Sequence, residues 1–398
     1  MEFSAVRTDL ALEESERRGG GIDGVREQTS DEQGFHLTRV SVLDERGAQS
    51  LCKPIGEYIT LEFTPLLRRE ENSFEICAGI LARELRSLLG ELPEGACVLA
   101  AGLGNEYITP DAIGPWAMDS VLVTRHLTSL PEFASFRPVA AVRSGVLGTT
   151  GVESAQLIAM LCRELSPAAV IAVDALASLS TERLCRTVQL SDAGIVPGSG
   201  VGNAREALSR ETLGVPVIAV GVPTVVDATA IAAELASAAG VEVGPKALPQ
   251  TGLIVTPRDI DRLARDAANL VGYSIDLPLH PRLTAAAIAM LISCSFVPRG
   301  TFSPCSTWNN RHKTIEKDTT RWYNRQRTLE FQRGKPWERS SPSLTRRAAS
   351  AKQPHAPACA ARCATGEGGC CYATPTLRAT APRVWASRKP PLPTSTTY

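Results

Sequence analysis

Histidine is scarce in this chain, with five residues among 398. No His-Glu-x-x-His pair occurs, which excludes a zincin mechanism. No Gly-x4-Gly-Lys-Ser/Thr occurs either, so a phosphate-cradling nucleotide loop is missing. Ser199 sits in Pro197-Gly-Ser-Gly-Val, which departs from the Gly-x-Ser-x-Gly elbow of serine hydrolases at the fifth position. No run of eighteen apolar residues is present, so nothing in the sequence reads as a membrane span. Residues Met1 to Arg18 are polar and acidic, without the basic-then-apolar pattern of a secretory signal; the expected address is the cytoplasm.

What is present divides unevenly. The formal net charge is zero. Residues 1–293 carry 24 Lys+Arg against 37 Asp+Glu, whereas residues 294–398 carry 18 against 5. The two parts are therefore read separately. Five cysteines (Cys52, Cys77, Cys97, Cys162, Cys185) are scattered over the first part, as small apolar residues in a reducing compartment would be. Four others crowd as Cys359, Cys363, Cys370 and Cys371, a Cys-x3-Cys-x6-Cys-Cys cluster without paired zinc knuckles. The region after Ser293 is basic and rich in Trp, Arg, Ser and Pro. Three readings stand open for it: a nucleic-acid-binding tail, a disordered extension, or residues from a shifted reading frame.

Before residue 294 the pattern alternates strand and helix. Residues 1–40 are polar and read as a loosely attached arm. Tyr58-Ile-Thr-Leu-Glu-Phe alternates as a strand does, and Glu75 to Leu89 has helical spacing. Apolar runs beginning at Cys97, Pro138, Ala169, Thr187 and Val215 read as strands, the buried ones parallel. Helices are expected at Gly114–Leu127, Ser154–Leu165, Ala228–Ala239 and Pro257–Val271. This alternation predicts an α/β fold: three layers, with a mainly parallel sheet and helices on both faces.

In such sheets ligands sit beyond the carboxyl ends of the strands. Gly102-Leu-Gly-Asn follows the first of these strands and leads to Asp111. Asp174 follows Ala169-Val-Ile-Ala-Val, and Gly221-Val-Pro-Thr-Val-Val leads to Asp227. Gly104, Asn105, Gly198, Ser199, Gly200 and Asp227 are therefore expected to line one crevice. Asp111 also reads as the cap of a helix near Gly114, and Asp174 as the cap of a turn. Two carboxylates at neighbouring strand ends carry a second meaning. Like charges in proximity leave one group protonated, so one can activate water while the other donates a proton. No cofactor and no metal are called for by that chemistry.

Several segments, in order, resemble the germination protease family of spore-forming bacteria. They are Ser4-Ala-Val-Arg-Thr-Asp-Leu-Ala, Thr109-Pro-Asp-Ala-Ile-Gly-Pro, Gly145-Val-Leu-Gly-Thr-Thr-Gly, Ala172-Val-Asp-Ala-Leu-Ala, Gly194-Ile-Val-Pro-Gly-Ser-Gly-Val-Gly-Asn and Thr212-Leu-Gly-Val-Pro-Val-Ile-Ala-Val-Gly-Val-Pro-Thr-Val-Val-Asp. The resemblance implies an endopeptidase that cleaves small acid-soluble spore proteins at germination, in the cytoplasm of the forespore and spore core. It implies a fold like that of hydrogenase maturation proteases and a homotetramer, with no membrane partner and no direct nucleic-acid binding by the catalytic domain. It implies Asp111 and Asp174 as the catalytic pair. It also implies a zymogen that removes its own propeptide, residues 1–10, by cutting between Leu10 and Ala11, to leave a catalytic domain at 11–293. Thr8-Asp-Leu-Ala resembles the acidic-apolar-small pattern of the substrates. One departure bears on the site: Leu179 stands where many relatives carry Arg, so Arg183 is a candidate to supply charge near Asp174. The alternatives are a maturation-type protease that recognises a metal through the same carboxylates, and a non-catalytic protein that binds spore proteins or DNA.

Overall fold

The computed structural model describes residues 7–241, 252–284, 287–288 and 290–292. Residues 1–6 of the expected propeptide and the whole basic region after residue 293, with its cysteine cluster, lie outside the described residues. The strands are β1 (Val25–Glu32), β2 (Phe35–Val42), β3 (Gly56–Glu62), β4 (Val98–Leu103), β5 (Val139–Gly145), β6 (Ala169–Ser178), β7 (Thr187–Ser191), β8 (Val217–Asp227) and β9 (Ile254–Val255). The helices are α1 (Ala11–Arg17), α2 (Glu45–Leu51), α3 (Thr64–Leu67), α4 (Ser73–Leu89), α5 (Ile113–Ala117), α6 (Leu147–Thr150), α7 (Ser154–Leu165), α8 (Arg210–Leu213), α9 (Ala228–Ala238) and α10 (Ile260–Leu279).

One sheet runs in the order β1-β2-β3-β7-β8-β6-β4-β5, with β9 paired to β8. Its heart, β5-β4-β6-β8, is parallel, as the buried apolar runs predict. The flank β7-β3-β2-β1 is antiparallel, so the whole sheet is mixed. Side chains alternate between the faces. Val98, Ala100, Ile171 and Val173 point towards α4, α5 and α10, joining Leu81, Leu85, Ile113, Ala264 and Val271 in the main core. Leu99, Ala101, Val170 and Ala172 point the other way, onto Ala155, Ile158 and Cys162 of α7. On that second face, further along the sheet, Val40, Val42 and Tyr58 pack against Ala11 and Leu51. Helices thus cover both faces. Each fully buried Leu or Ile contributes on the order of 1.5–3 kcal/mol.

Three expectations are corrected. Of the arm expected over residues 1–40, the described part, residues 7–40, is not loose: α1 has buried residues along most of its length, and β1 and β2 form a hairpin. Its two-residue turn, Gln33 (φ 51°) and Gly34 (φ 86°), has the left-handed backbone that suits tight hairpins. The helix expected over Gly114–Leu127 stops at Ala117 and gives way to short 3-10 turns, Met118–Ser120 and Arg125–Leu127. Competing hydrogen bonds explain the break: the Leu122 N–H donates to the Asp276 carboxyl, and Thr124 binds backbone on both sides, at Arg137 and Val139. Finally, β6 and β8 run further than their apolar runs. They pair with each other to Ser178 and Val226, beyond the end of β4. Asp174 therefore lies within β6, one residue past its last pairing with β4.

Candidate active site

The site is built where β4 stops. Gly104, with φ of 102°, turns the chain away from the sheet, and a Cβ there would overlap the Asp111 backbone oxygen. The chain returns through a 3-10 turn, Thr109–Asp111. Two bonds fix that turn: the Thr224 hydroxyl, fully buried, donates to the Pro110 carbonyl (2.6 Å), and Thr109 donates to Asp261 (2.7 Å). Next, α5 settles on the sheet at Gly114. Any side chain at that position would overlap the backbone oxygens of Leu103 and Val173. Val173 precedes Asp174, so the glycine brings the helix behind Asp111 into backbone contact with the strand that carries Asp174.

Neither carboxylate is a helix cap. Asp111 Oδ2 accepts from the Asn105 N–H (2.8 Å), bridging its own loop, and α5 has no side-chain cap. Asp174, 5% exposed, accepts only from the adjacent Ala175 N–H (2.9 Å) among the bonds of the described residues. Burial raises the Asp111 carboxyl to about 6, against the Asn105 hydrogen bond that favours its charge. Burial lifts Asp174 well above the usual carboxylate range, and the charges of Asp111 and Asp9 lift it further. Neighbouring like charges disfavour double ionisation, and the environment of Asp174, the more deeply buried of the two, favours its protonated form.

Among the described residues, no cation offsets the shift of Asp174. Arg183 is committed elsewhere, to Glu13 (3.3 Å) and Glu16 (2.6 Å), and Leu179 lies in an apolar cluster with Leu184, Val226 and Ala230. The Arg183 expectation therefore fails for a plain reason: buried Glu13 captures it. Glu13 also accepts from Thr8, from Ser178 (2.6 Å) and from the backbone of Leu179 (2.8 Å) and Ser180 (3.2 Å).

The remaining expected crevice residues divide. Asn105 and Gly104 shape the Asp111 loop. Ser199 and Gly200 approach a different carboxylate, Asp9, whereas Gly198 turns against Asn203: Ser199 Oγ donates to Asp9 Oδ1 (2.6 Å), and a Cβ at Gly200 would overlap Asp9 Oδ2. Asp227 caps α9, accepting from the Thr229 N–H (2.7 Å). Leu10 and Ala11, at the expected cut, are both fully buried, and Ala11 begins α1.

Reasoning from sequence missed Lys53 and Gln189. The Lys53 ammonium donates to the carbonyls of Thr8 (2.9 Å) and Asp9 (3.0 Å), and Gln189 Nε2 also donates to the Asp9 carbonyl (3.2 Å). A cavity of about 710 Å³ opens beside them, with Thr8, Asp9, Lys53, Gln189 and Ser199 in its wall. The two paired carboxylates do not line it; Asp9, whose charge reaches Asp174, joins the two regions.

The described domain thus places two raised carboxyls near its strand ends, Asp174 shifted in part by the charge of Asp111. Comparison with known proteins gives the class. Residues 5–237 match the model of the germination protease family, and the chain belongs to that family. It is 39% identical over 318 residues to a germination protease of Caldanaerobacter subterraneus subsp. tengcongensis, covering 72% of this chain and 98% of that one. It is 38% identical over 313 residues to one from Clostridium perfringens (70% and 96%), and 45% identical over 242 residues to one from Bacillus cereus (58% and 65%). Among solved structures it resembles the [NiFe] hydrogenase maturation protease HycI of Thermococcus kodakarensis KOD1 at 16% identity. That match covers 48% of this chain and 98% of the other, and its TM-score of 0.27 is too low to carry an argument. The chain is thus an endopeptidase of the germination protease family. Among the described residues no helix is long and apolar enough to cross a membrane.

Proposed function

We propose that this protein initiates the degradation of small acid-soluble spore proteins at germination, and that Asp111 and Asp174 perform the hydrolysis. The observation that carries this reading is a raised carboxyl pair: burial lifts Asp111 to about 6, and burial together with the charge of Asp111 lifts Asp174 well above the usual carboxylate range. The Asp111 carboxylate takes a proton from water as the water attacks the scissile carbonyl. Protonated Asp174 donates to the carbonyl oxygen and, as the intermediate collapses, a proton reaches the leaving nitrogen. A general base whose pKa lies near the working pH is half-ionised there and suited to this exchange.

The protein is made as a zymogen, acts as a homotetramer in the forespore and spore core, and removes its own N-terminal residues. A cut between Leu10 and Ala11 requires the start of α1 to lift, since both residues are buried. The carbonyl gripped by two side chains belongs to Asp9, one residue earlier. N-terminal sequencing of the processed chain locates the bond. Loss of the segment would remove the Asp9 charge from Asp174, so processing and the protonation of the pair are linked.

The test is to incubate the purified full chain with a small acid-soluble spore protein in metal-free buffer containing excess chelator. Discrete fragments are expected. Intact substrate after processing of the N-terminus would contradict the reading.

A further inference from the structure

All four polar atoms of Asp9 that a peptide ligand would present are engaged by the body of the protein. Its N–H donates to the Ala177 carbonyl (3.0 Å), and Oδ2 accepts from the Ala177 N–H (2.8 Å). Oδ1 accepts from Ser199 (2.6 Å), and the carbonyl accepts from Lys53 (3.0 Å) and Gln189 (3.2 Å). Gln189 also spans forward, its Oε1 accepting from the Ala11 N–H (2.8 Å). Ala177 lies three residues beyond Asp174 on the same strand. Asp174 is in register with Gly221, and Gly221 with Gln189, across β6, β8 and β7. Side chains in register share a face, so Asp174 and Gln189 lie on either side of Gly221, which the Leu176 side chain covers, on the face where the N-terminal segment lies.

Resting on the hydrolytic role given above to Asp111 and Asp174, we propose that Lys53, Gln189, Ser199 and the Ala177 amide form a substrate subsite that selects an acidic side chain, and that Asp9 fills it here as an internal substitute. Three features argue for a ligand site rather than a simple tether. The contacts read a peptide backbone and one carboxylate, and none depends on the segment being covalently attached. Gly200 is kept bare where a Cβ would collide with that carboxylate, so the loop fits a ligand group. The Lys53 side chain is half-buried, and its ammonium donates to the Thr8 and Asp9 carbonyls. Departure of the segment removes both acceptors, and a desolvated cation then favours an incoming peptide that brings negative charge.

The donors also predict which residue does the selecting. An Asn in place of Asp could give its oxygen to the Ala177 N–H and its amide to the Ser199 oxygen, since a hydroxyl both donates and accepts. Ser199 thus holds either side chain, and discrimination for charge falls to Lys53. Lys53 and Ser199 are specificity residues, not catalytic ones.

The experiment uses the full chain carrying Asp9→Arg, which places like charge beside Lys53 and releases residues 7–9. Hydrogen exchange at residues 7–9 reports the release; continued docking of the Arg segment would overturn the proposal, because the subsite would not then select an acid. The probe is an N-terminally labelled, C-terminally amidated peptide of residues 4–9, with its Asp→Asn counterpart, read by fluorescence polarisation. The Asp peptide is expected to bind about tenfold or more tighter than the Asn peptide. Lys53→Gln keeps a donor for the carbonyls and is expected to erase that preference, whereas Ser199→Ala weakens both peptides. Equal binding of the two peptides, no binding up to millimolar concentration, or a preference that survives Lys53→Gln would each overturn it. The titration reads binding alone, so a failure of Asp111 and Asp174 to hydrolyse leaves it interpretable. In the processed enzyme the same peptide is expected to raise KM for the protein substrate without changing kcat.

Discussion

Replacing Asp111 by Asn should stabilise the fold while it destroys function, and the size of the gain follows from the site. Folding moves this carboxyl from 3.8 to about 6. At about 1.4 kcal/mol per pH unit, the full penalty for holding it ionised is about 3 kcal/mol. The residual exposure of Asp111 screens part of this, so a gain of about 1–3 kcal/mol is expected. Asn keeps an oxygen for the Asn105 N–H, so the loop contact survives. The sign depends on pH. Between 3.8 and about 6 the folded wild type binds more protons than the unfolded chain, so its stability falls as pH rises through that window. The variant lacks this slope: it should match the wild type near pH 4 and exceed it fully above pH 6. Urea unfolding at a series of pH values measures the difference, which corresponds to roughly 2–10 °C in Tm for a domain of this size. Equal stabilities at pH 4 and pH 7.5 would refute the claim that Asp111 is held in an unfavourable environment.

The same assignment predicts that kcat/KM rises with pH through about 6 as Asp111 ionises and falls at higher pH as Asp174 loses its proton; a rate independent of pH across 5 to 7 would count against it. Gly104→Ala, at φ of 102° and facing the Asp111 backbone, should cost about 1–3 kcal/mol and lower kcat about a hundredfold, checked by urea unfolding and steady-state kinetics. Burial lowers the His280 imidazole from 6.5 to about 4, so the unfolded chain binds more protons between those values and stability is lost as pH falls through that window. His280→Leu should remove that acid sensitivity, worth up to about 3 kcal/mol near pH 4, as read from Tm against pH.

The parallel heart of the sheet was legible because β4, the first four residues of β5 and the first half of β6 are unbroken apolar runs. The hairpin β1–β2 was not. Six of the eight residues of β1 are exposed, so neither of its faces carries an apolar signal. The helix α1 was hidden for the opposite reason: its buried Glu13, Glu14 and Ser15 look like surface residues until their partners are known. Strand-end reasoning pointed to Asp111 and Asp174, both of which burial raises, but misjudged where β6 and β8 end, the helix-capping Asp227, and Ser199 and Gly200, which meet Asp9. It could not find Lys53 or Gln189, which lie far apart in sequence and meet at the carbonyl of Asp9. One signal was available for Lys53: residues 1–293 contain only two lysines, and it is one of them. The Arg183 expectation failed because sequence proximity to Asp174 says nothing of the stronger claim made by Glu13, 170 residues away.

The central claim, that one carboxylate pair carries the hydrolysis, is tested most directly by the turnover of a small acid-soluble spore protein by the processed wild type and by Asp111→Asn and Asp174→Asn, each confirmed folded. Each variant is expected to lose about 100-fold to 10,000-fold in kcat, with the double variant losing little more than the worse single one, since the two groups act as a unit. Turnover within a few-fold of wild type in either single variant would contradict the account.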